Sequence, residues 1–286
     1  MEKIRPEYRR KPKFTRENTR GVERYHTIGE IIDKVKKDGI DPTDFIRSAT
    51  ANKIRTIGFG EHHFFSGCRT SEIEIITRLS DEAPRPLRHL ALEFQYKHQS
   101  AIDEFMVSGD LSALIKAFPK LWQKNDWVEI VNLAQRKKIK IHCVDGNWKA
   151  ILQALNPFEM KASRDKKIHE KIFQISKKNP DELTLAILGS HHISNLNDAS
   201  FHPILDLSYP KLNDLLPNTY LPIVYKRLSE KDLKGAESLV PKSGLLVPTG
   251  DDNRFDATYF DDFDDYCGNY GGVIFVSEQI TNFNVS

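Results

Sequence analysis

The chain predicts a single α/β domain with a mainly parallel central sheet and helices on both faces. Two observations carry this prediction. Apolar runs of strand length recur along the sequence ("IRTIGFG", "HLALEF", "IKIHCVDG", "LTLAILG"), and stretches with helical periodicity separate them. Strands that alternate with helices build parallel βαβ units, whose crossovers cover both faces of the sheet. No internal repeat or low-complexity linker divides the 286 residues, a length that can bury a substantial core.

Each element has a local reason. "TIGEIIDKVKKDG" opens on a Thr cap, carries Glu three residues on and stops at Gly39, a helix signature. "DPTDFIRSATANK" reads as a second short helix. The strand "IRTIGFG" follows, then the helix "TSEIEIITRLSDEA", with apolar residues at helical spacing. After the strand "HLALEF", a helical stretch runs from His98 to about Lys120, broken at Gly109 and Pro119. "DWVEIVNLAQRKK" is helical and "IKIHCVDG" a strand. A helix-rich segment from Asn147 to Lys178 leads into "LTLAILGSHH", read as one continuous strand. "YLPIVYK" and "GGVIFVSEQI" supply two more.

Composition bounds the function. The chain is 39% apolar and 29% charged, with a net charge of +2, which fits a globular protein. No run of about 18 apolar residues is present, so no membrane span is expected. The start carries charge but no apolar core of a secretory signal. Cys68, Cys143 and Cys267 are scattered without a CxxC pair, neither a disulfide framework nor a thiolate zinc site. A reducing, cytoplasmic compartment follows, with export by a route that needs no signal peptide as the alternative. Residues 1–25 hold nine Lys/Arg against four Glu and read as a basic, flexible leader to a domain over 26–286. The leader lacks aromatic stacking positions, so nucleic acid is not an expected partner. The acidic stretch "DATYFDDFDDYCGNYGG" lacks the glycine and glutamate spacing of an EF-hand and reads as a loop.

Open α/β sheets carry their chemistry on the loops after the carboxyl ends of the strands. Here four successive strands run out into Gly60-Glu61-His62-His63, Glu93, Asp145-Gly146-Asn147 and Gly189-Ser190-His191-His192. Charged residues seldom end buried apolar strands without a partner or a task. Two carboxylates brought together cannot both ionise freely, so one becomes an acid or base usable near neutral pH. A His beside a carboxylate is held in one tautomer and takes a proton from water, and a second His stabilises an oxyanion. The same ligand types suit zinc, iron or manganese. Successive residues leaving a strand point opposite ways, so one His of each pair faces the site, and spacing alone does not choose which. No GxSxG elbow is present, and His142 and Cys143, adjacent on one strand, point apart, so no cysteine nucleophile is expected.

The pieces "GFGEHH", "LALEFQYKHQSAIDEF", "WVEIVNLAQRKKIKIHCVDGN" and "LAILGSHHI", with a closing "YGGVIFVSEQ", resemble the superfamily of erythromycin esterases, ChaN-like haem-binding proteins, TIKI proteases and Ras-cleaving toxin peptidases. The resemblance spans Ile54 to Glu278. Phe64 stands where the esterase pattern has its first His, which brings the chain nearer the ChaN-like and toxin-peptidase branch. By the spacings Glu-x-His and Gly-x-x-His, the resemblance implies Glu61, His63, Glu93 and His192 as the catalytic set. His62, Asp145, Asn147, His191 and Arg69 would then orient that set or contact substrate. It implies a hydrolase that turns activated water on an ester, lactone or peptide bond of a small molecule or a protein, as a toxin or effector, a resistance esterase or a biosynthetic enzyme. No cofactor is favoured. The alternatives are a divalent metal on Glu61, His63, Glu93 and His192, and a haem- or ligand-binding module with "YKH" at Tyr96–His98 as the haem candidate.

Overall fold

A computed structural model describes residues 28–61, 66–82, 84–117, 127–146, 157–193, 210–228, 240–248 and 271–277. The elements in chain order are α1 (Ile28–Asp38), α2 (Pro42–Ala51), β1 (Thr56–Glu61), α3 (Ser66–Glu82), β2 (Leu87–Gln95), a 3-10 turn (Tyr96–His98), α4 (Gln99–Ser108), α5 (Leu111–Ala117), α6 (Trp127–Arg136), β3 (Lys140–Asp145), α7 (Pro157–Lys178), β4 (Leu183–Gly189), α8 (Ser190–Ile193), α9 (Leu212–Leu215), β5 (Tyr220–Leu228), β6 (Leu245–Pro248) and β7 (Gly272–Ser277). The basic leader and the acidic stretch near the C-terminus lie outside the described residues.

The seven strands form one sheet in the order β3-β2-β4-β1-β5-β7-β6. Five pairings are parallel, and β6 alone runs antiparallel, against β7. The α/β class with helices on both faces is therefore as the sequence predicts. Alternation along each strand sorts side chains into two cores. Ile57, Phe59, Leu92 and Ile187 pack against α2, α3, α4 and α6 through Ile46, Ile75, Phe105 and Trp127. Ala91, Ala186, Leu188 and Val224 pack on the opposite face against α1, α7 and α8 through Val35, Ile168, Ile172 and Ile193.

Two elements depart from the sequence reading. The short antiparallel strand β6 was not expected from "GLLVPTG", four residues that gain strand pairing only from β7. The run "LTLAILGSHH" is not one strand: β4 stops at Gly189 and Ser190–Ile193 winds into the helical turn α8. Gly60 makes that turn possible. A Cβ there would overlap Ile193 Cδ1 and lie 3.1 Å from Ser190 Cα. The helical break at Gly109 is as expected: it ends α4 in the left-handed region, at φ +73.

Among the described residues, each sheet edge is engaged at one point. Gln99 lies along the outer side of β3, where its Nε2 donates to Ile141 O at 2.9 Å and its Oε1 accepts from Cys143 N at 2.7 Å. The backbone of Ile40 exchanges two 2.9 Å hydrogen bonds with Leu246 on β6. Edges left open are templates for unwanted strand pairing.

Candidate functional site

All four predicted strand ends lie at one edge of the sheet, and the order β3-β2-β4-β1 makes them consecutive in space. Parallel register sets Glu61 opposite Gly189, while β2 and β3 slip by one residue between Leu92 and Gln95, a bulge that contains Glu93. Bulges re-aim side chains. The edge nonetheless holds two separate clusters, because Glu61 continues the face of Ile57 and Phe59 whereas Glu93 continues the face of Ala91.

On the Glu93 face, Arg164 of α7 joins the predicted strand ends. Its Nε donates to Asp145 Oδ1 at 2.8 Å and its Nη2 to Asp145 Oδ2 at 3.0 Å. Nη2 also pairs with Glu93 Oε1, and Nη1 lies 2.9 Å from His192 Nε2. Glu93 Oε2 accepts from Gly189 N at 2.7 Å, which ties β2 to the end of β4. His192 is buried on α8. Its Nδ1–H donates to Asp165 Oδ1 at 2.6 Å, and Glu93 Oε1 lies 3.3 Å from its Nε2. Behind it, His169 Nε2–H donates to the backbone carbonyl of His192 at 2.7 Å.

The proton on His192 is set by competing effects. Burial alone pushes the ring toward neutrality, but the carboxylates of Glu93 and Asp165 outweigh it and raise the pKa to about 9. The charged ring donates Nε2–H to Glu93; the neutral ring accepts there from Arg164. One nitrogen serves one of the two at a time. His169 is held down to about 4 by burial, which outweighs its hydrogen bond to the His192 carbonyl and the charge of Asp165, and it stays neutral.

On the opposite face, Glu61 and Glu72 both pair with Arg69, and all three side chains are at most 1% exposed. The guanidinium stacks 3.7 Å from the ring centre of Trp127, a cation–π contact, and Phe94 meets that ring edge-on at 5.0 Å. Two buried acids share one cation. Burial, with the charge of Glu61 beside it, lifts Glu72 well above the usual carboxylate range against the pull of Arg69. The carboxylate pair that couples is thus Glu61–Glu72, not Glu61–Glu93.

Set against the predicted residues, Glu93, His192 and Asp145 meet in one cluster. Glu61 ends at the same edge but is engaged from the other face. Arg69, expected to orient that set or contact substrate, meets the carboxylates of Glu61 and Glu72. His62, His63, Asn147 and the side chain of His191 lie outside the described residues. Sequence reasoning missed Arg164, Asp165, His169 and Glu72. They sit inside helices, and only "RDKKIH" on α7, with Asp165 and His169 one turn apart and Arg164 next to them, hinted that one helix face was polar. Cys143 is buried and its thiol is pushed up to about 12, in keeping with no nucleophilic role. Tyr96 of the "YKH" turn is 56% exposed.

No family model and no curated protein matches the chain. Among solved structures, it is similar to a protein from Bacillus cereus with a TM-score of 0.55 at 10% identity, over 88% of this chain and 98% of that one. That likeness is one of fold. A structure described as a bacterial protein toxin matches with a TM-score of 0.47 at 14% identity over 68% of this chain, which spans only 38% of the toxin's length. The haem-binding ChaN of Campylobacter jejuni matches with a TM-score of 0.43 at 16% identity, over 68% and 89%. Among the described residues no helix is long and apolar enough to cross a membrane.

Proposed function

We propose that the protein is a hydrolase acting on an ester, lactone or peptide bond without a covalent intermediate. The observation that carries this reading is His192, held by Asp165 at Nδ1 with Nε2 turned to Glu93 at the carboxyl edge of the sheet. An imidazole oriented by a carboxylate is the working part of many acyl-transfer sites. With its pKa near 9, His192 is a cation at neutral pH. Its role is to stabilise the oxyanion formed at the attacked carbonyl and to give its proton to the leaving group. The base is assigned to His63, two residues after Glu61 in the sequence, which takes the proton from water. Glu61 is fixed for that task from below by Arg69.

A metal on Glu61, His63, Glu93 and His192 draws less support. Arg164 already places a cation between Glu93 and His192, and Glu61 leaves the sheet on the other face.

A panel of p-nitrophenyl esters and fluorogenic peptides tests the proposal. His192→Ala and Glu93→Gln should each lower turnover of a cleaved probe by about 10²–10⁴-fold with the fold intact. Full activity in both variants would overturn it.

A further inference from the structure

Arg164 touches three of the groups that the sheet topology gathers, yet it comes from none of the strands. We infer that Arg164 is the positioning residue of this site: its planar guanidinium fixes Glu93 and the Nε2 side of His192 against Asp145. The geometry suits an arginine and not a lysine. Nε and Nη2 straddle Asp145, Nη2 also serves Glu93, and Nη1 lies 2.9 Å from His192 Nε2, so three directions in one plane are filled, the last as a hydrogen bond when the ring is neutral. A lysine ammonium is a point charge on a flexible stem and spans one or two of these partners.

The anchoring is graded. Asp145 takes two contacts and is buried, so it sets the plane of the guanidinium. Glu93 is held from both sides, by Arg164 on Oε1 and by Gly189 N on Oε2. His192 is held at Nδ1 by Asp165, the next residue of the same helix. Arg164 therefore governs the Nε2 side alone, in either charge state of the ring. Charged, Nε2–H meets the Glu93 oxygen that Arg164 holds; neutral, Nε2 meets Arg164 itself. The charged and titratable groups around the ring are Glu93 of β2, Arg164, Asp165 and His169 of α7, and Asp145 of β3 through Arg164, with Lys211 close to His169.

The catalytic consequence rests on the hydrolase reading, but the test does not. In full-length protein labelled with ¹⁵N-histidine, the two ring nitrogens of His192 are followed by NMR at one pH and assigned through His192→Gln. Arg164→Ala should move the Nε2 resonance and leave Nδ1 in place, because Asp165 is untouched. Guanidinium ion, added well below denaturing concentration, should return Nε2 toward its original position, and Arg164→Lys should restore it only in part. A merely structural loss would disturb both nitrogens together and would not respond to guanidinium. An unchanged Nε2 in folded Arg164→Ala overturns the assignment. Where that variant does not fold, Asp145→Asn carries the test: it loosens the guanidinium without touching His192, and an unmoved Nε2 there also overturns it. Ester turnover in the wild type with an unmoved Nε2 would sink this role and spare the hydrolase; a moved Nε2 without turnover does the reverse.

Discussion

Arg69, Glu61 and Glu72 form a buried triad whose charges do not cancel if all are ionised. Burial and the neighbouring Glu61 hold the Glu72 carboxyl well above the ordinary range, which favours its protonated form. A protonated carboxyl is nearly isosteric with an amide. Glu72→Gln should therefore cost less than about 1 kcal/mol, whereas Arg69→Met, which strands the charge of Glu61, should cost about 3–5 kcal/mol. Urea unfolding of the two variants checks this, and equal losses would show that Glu72 is the ionised partner. None of this is readable from "GEHHFFSGCRTSE", where Arg69 reads as a substrate contact and Glu72 carries no role. Trp127 is the simpler case: a large apolar side chain at the start of α6, it is fully buried beneath Arg69.

At the level of elements, a four-residue turn does the positioning. The turn α8 aims His192, and it fits against β1 only because Gly60 has no side chain. Gly60→Ala should destabilise by about 1–3 kcal/mol through overpacking against Ile193 and Ser190. It should also shift the ring signals of His192, whereas unperturbed His192 signals would mean that α8 is placed by something else. The clasp of Gln99 on β3 works at the other end of the scale of conspicuousness, a single amide that imitates a neighbouring strand. Gln99→Ala leaves Ile141 O and Cys143 N to water and should cost about 1–2 kcal/mol, with faster aggregation on heating as the edge opens. Light scattering during a thermal ramp measures it, and an unchanged aggregation rate would mean that the edge is covered in some other way.

For the molecule as a whole, buried histidines set a stability optimum. His192 has a folded pKa raised from 6.5 to about 9, so its contribution is fully present below pH 6.5 and is lost as pH rises through about 9. His169 and His142 are lowered from 6.5 to about 4, the latter by burial and by His89 3.0 Å away. Their contribution is present above pH 6.5 and is lost as pH falls through about 4. The unfolding free energy should peak near pH 6.5 and decline on both sides. His192→Gln should flatten the alkaline limb and His142→Gln the acid limb; an alkaline limb unchanged in His192→Gln would contradict the raised value.

Periodicity along the chain was enough to assign the α/β class, the main strands and the presence of acids and imidazoles at their carboxyl ends, because alternation and helical spacing are local properties. Local pattern also led to "LTLAILGSHH" as one strand and passed over β6, since a turn against Gly60 and a pairing with β7 depend on residues far away in sequence. Which face each strand-end acid takes, and which helix answers it, depended on the bulge at Glu93 and on the packing of α3 and α7. Only the tertiary structure could therefore separate Glu61 with Arg69 from Glu93 with Arg164: a buried charge is defined by the partner that neutralises it, and that partner is chosen in space.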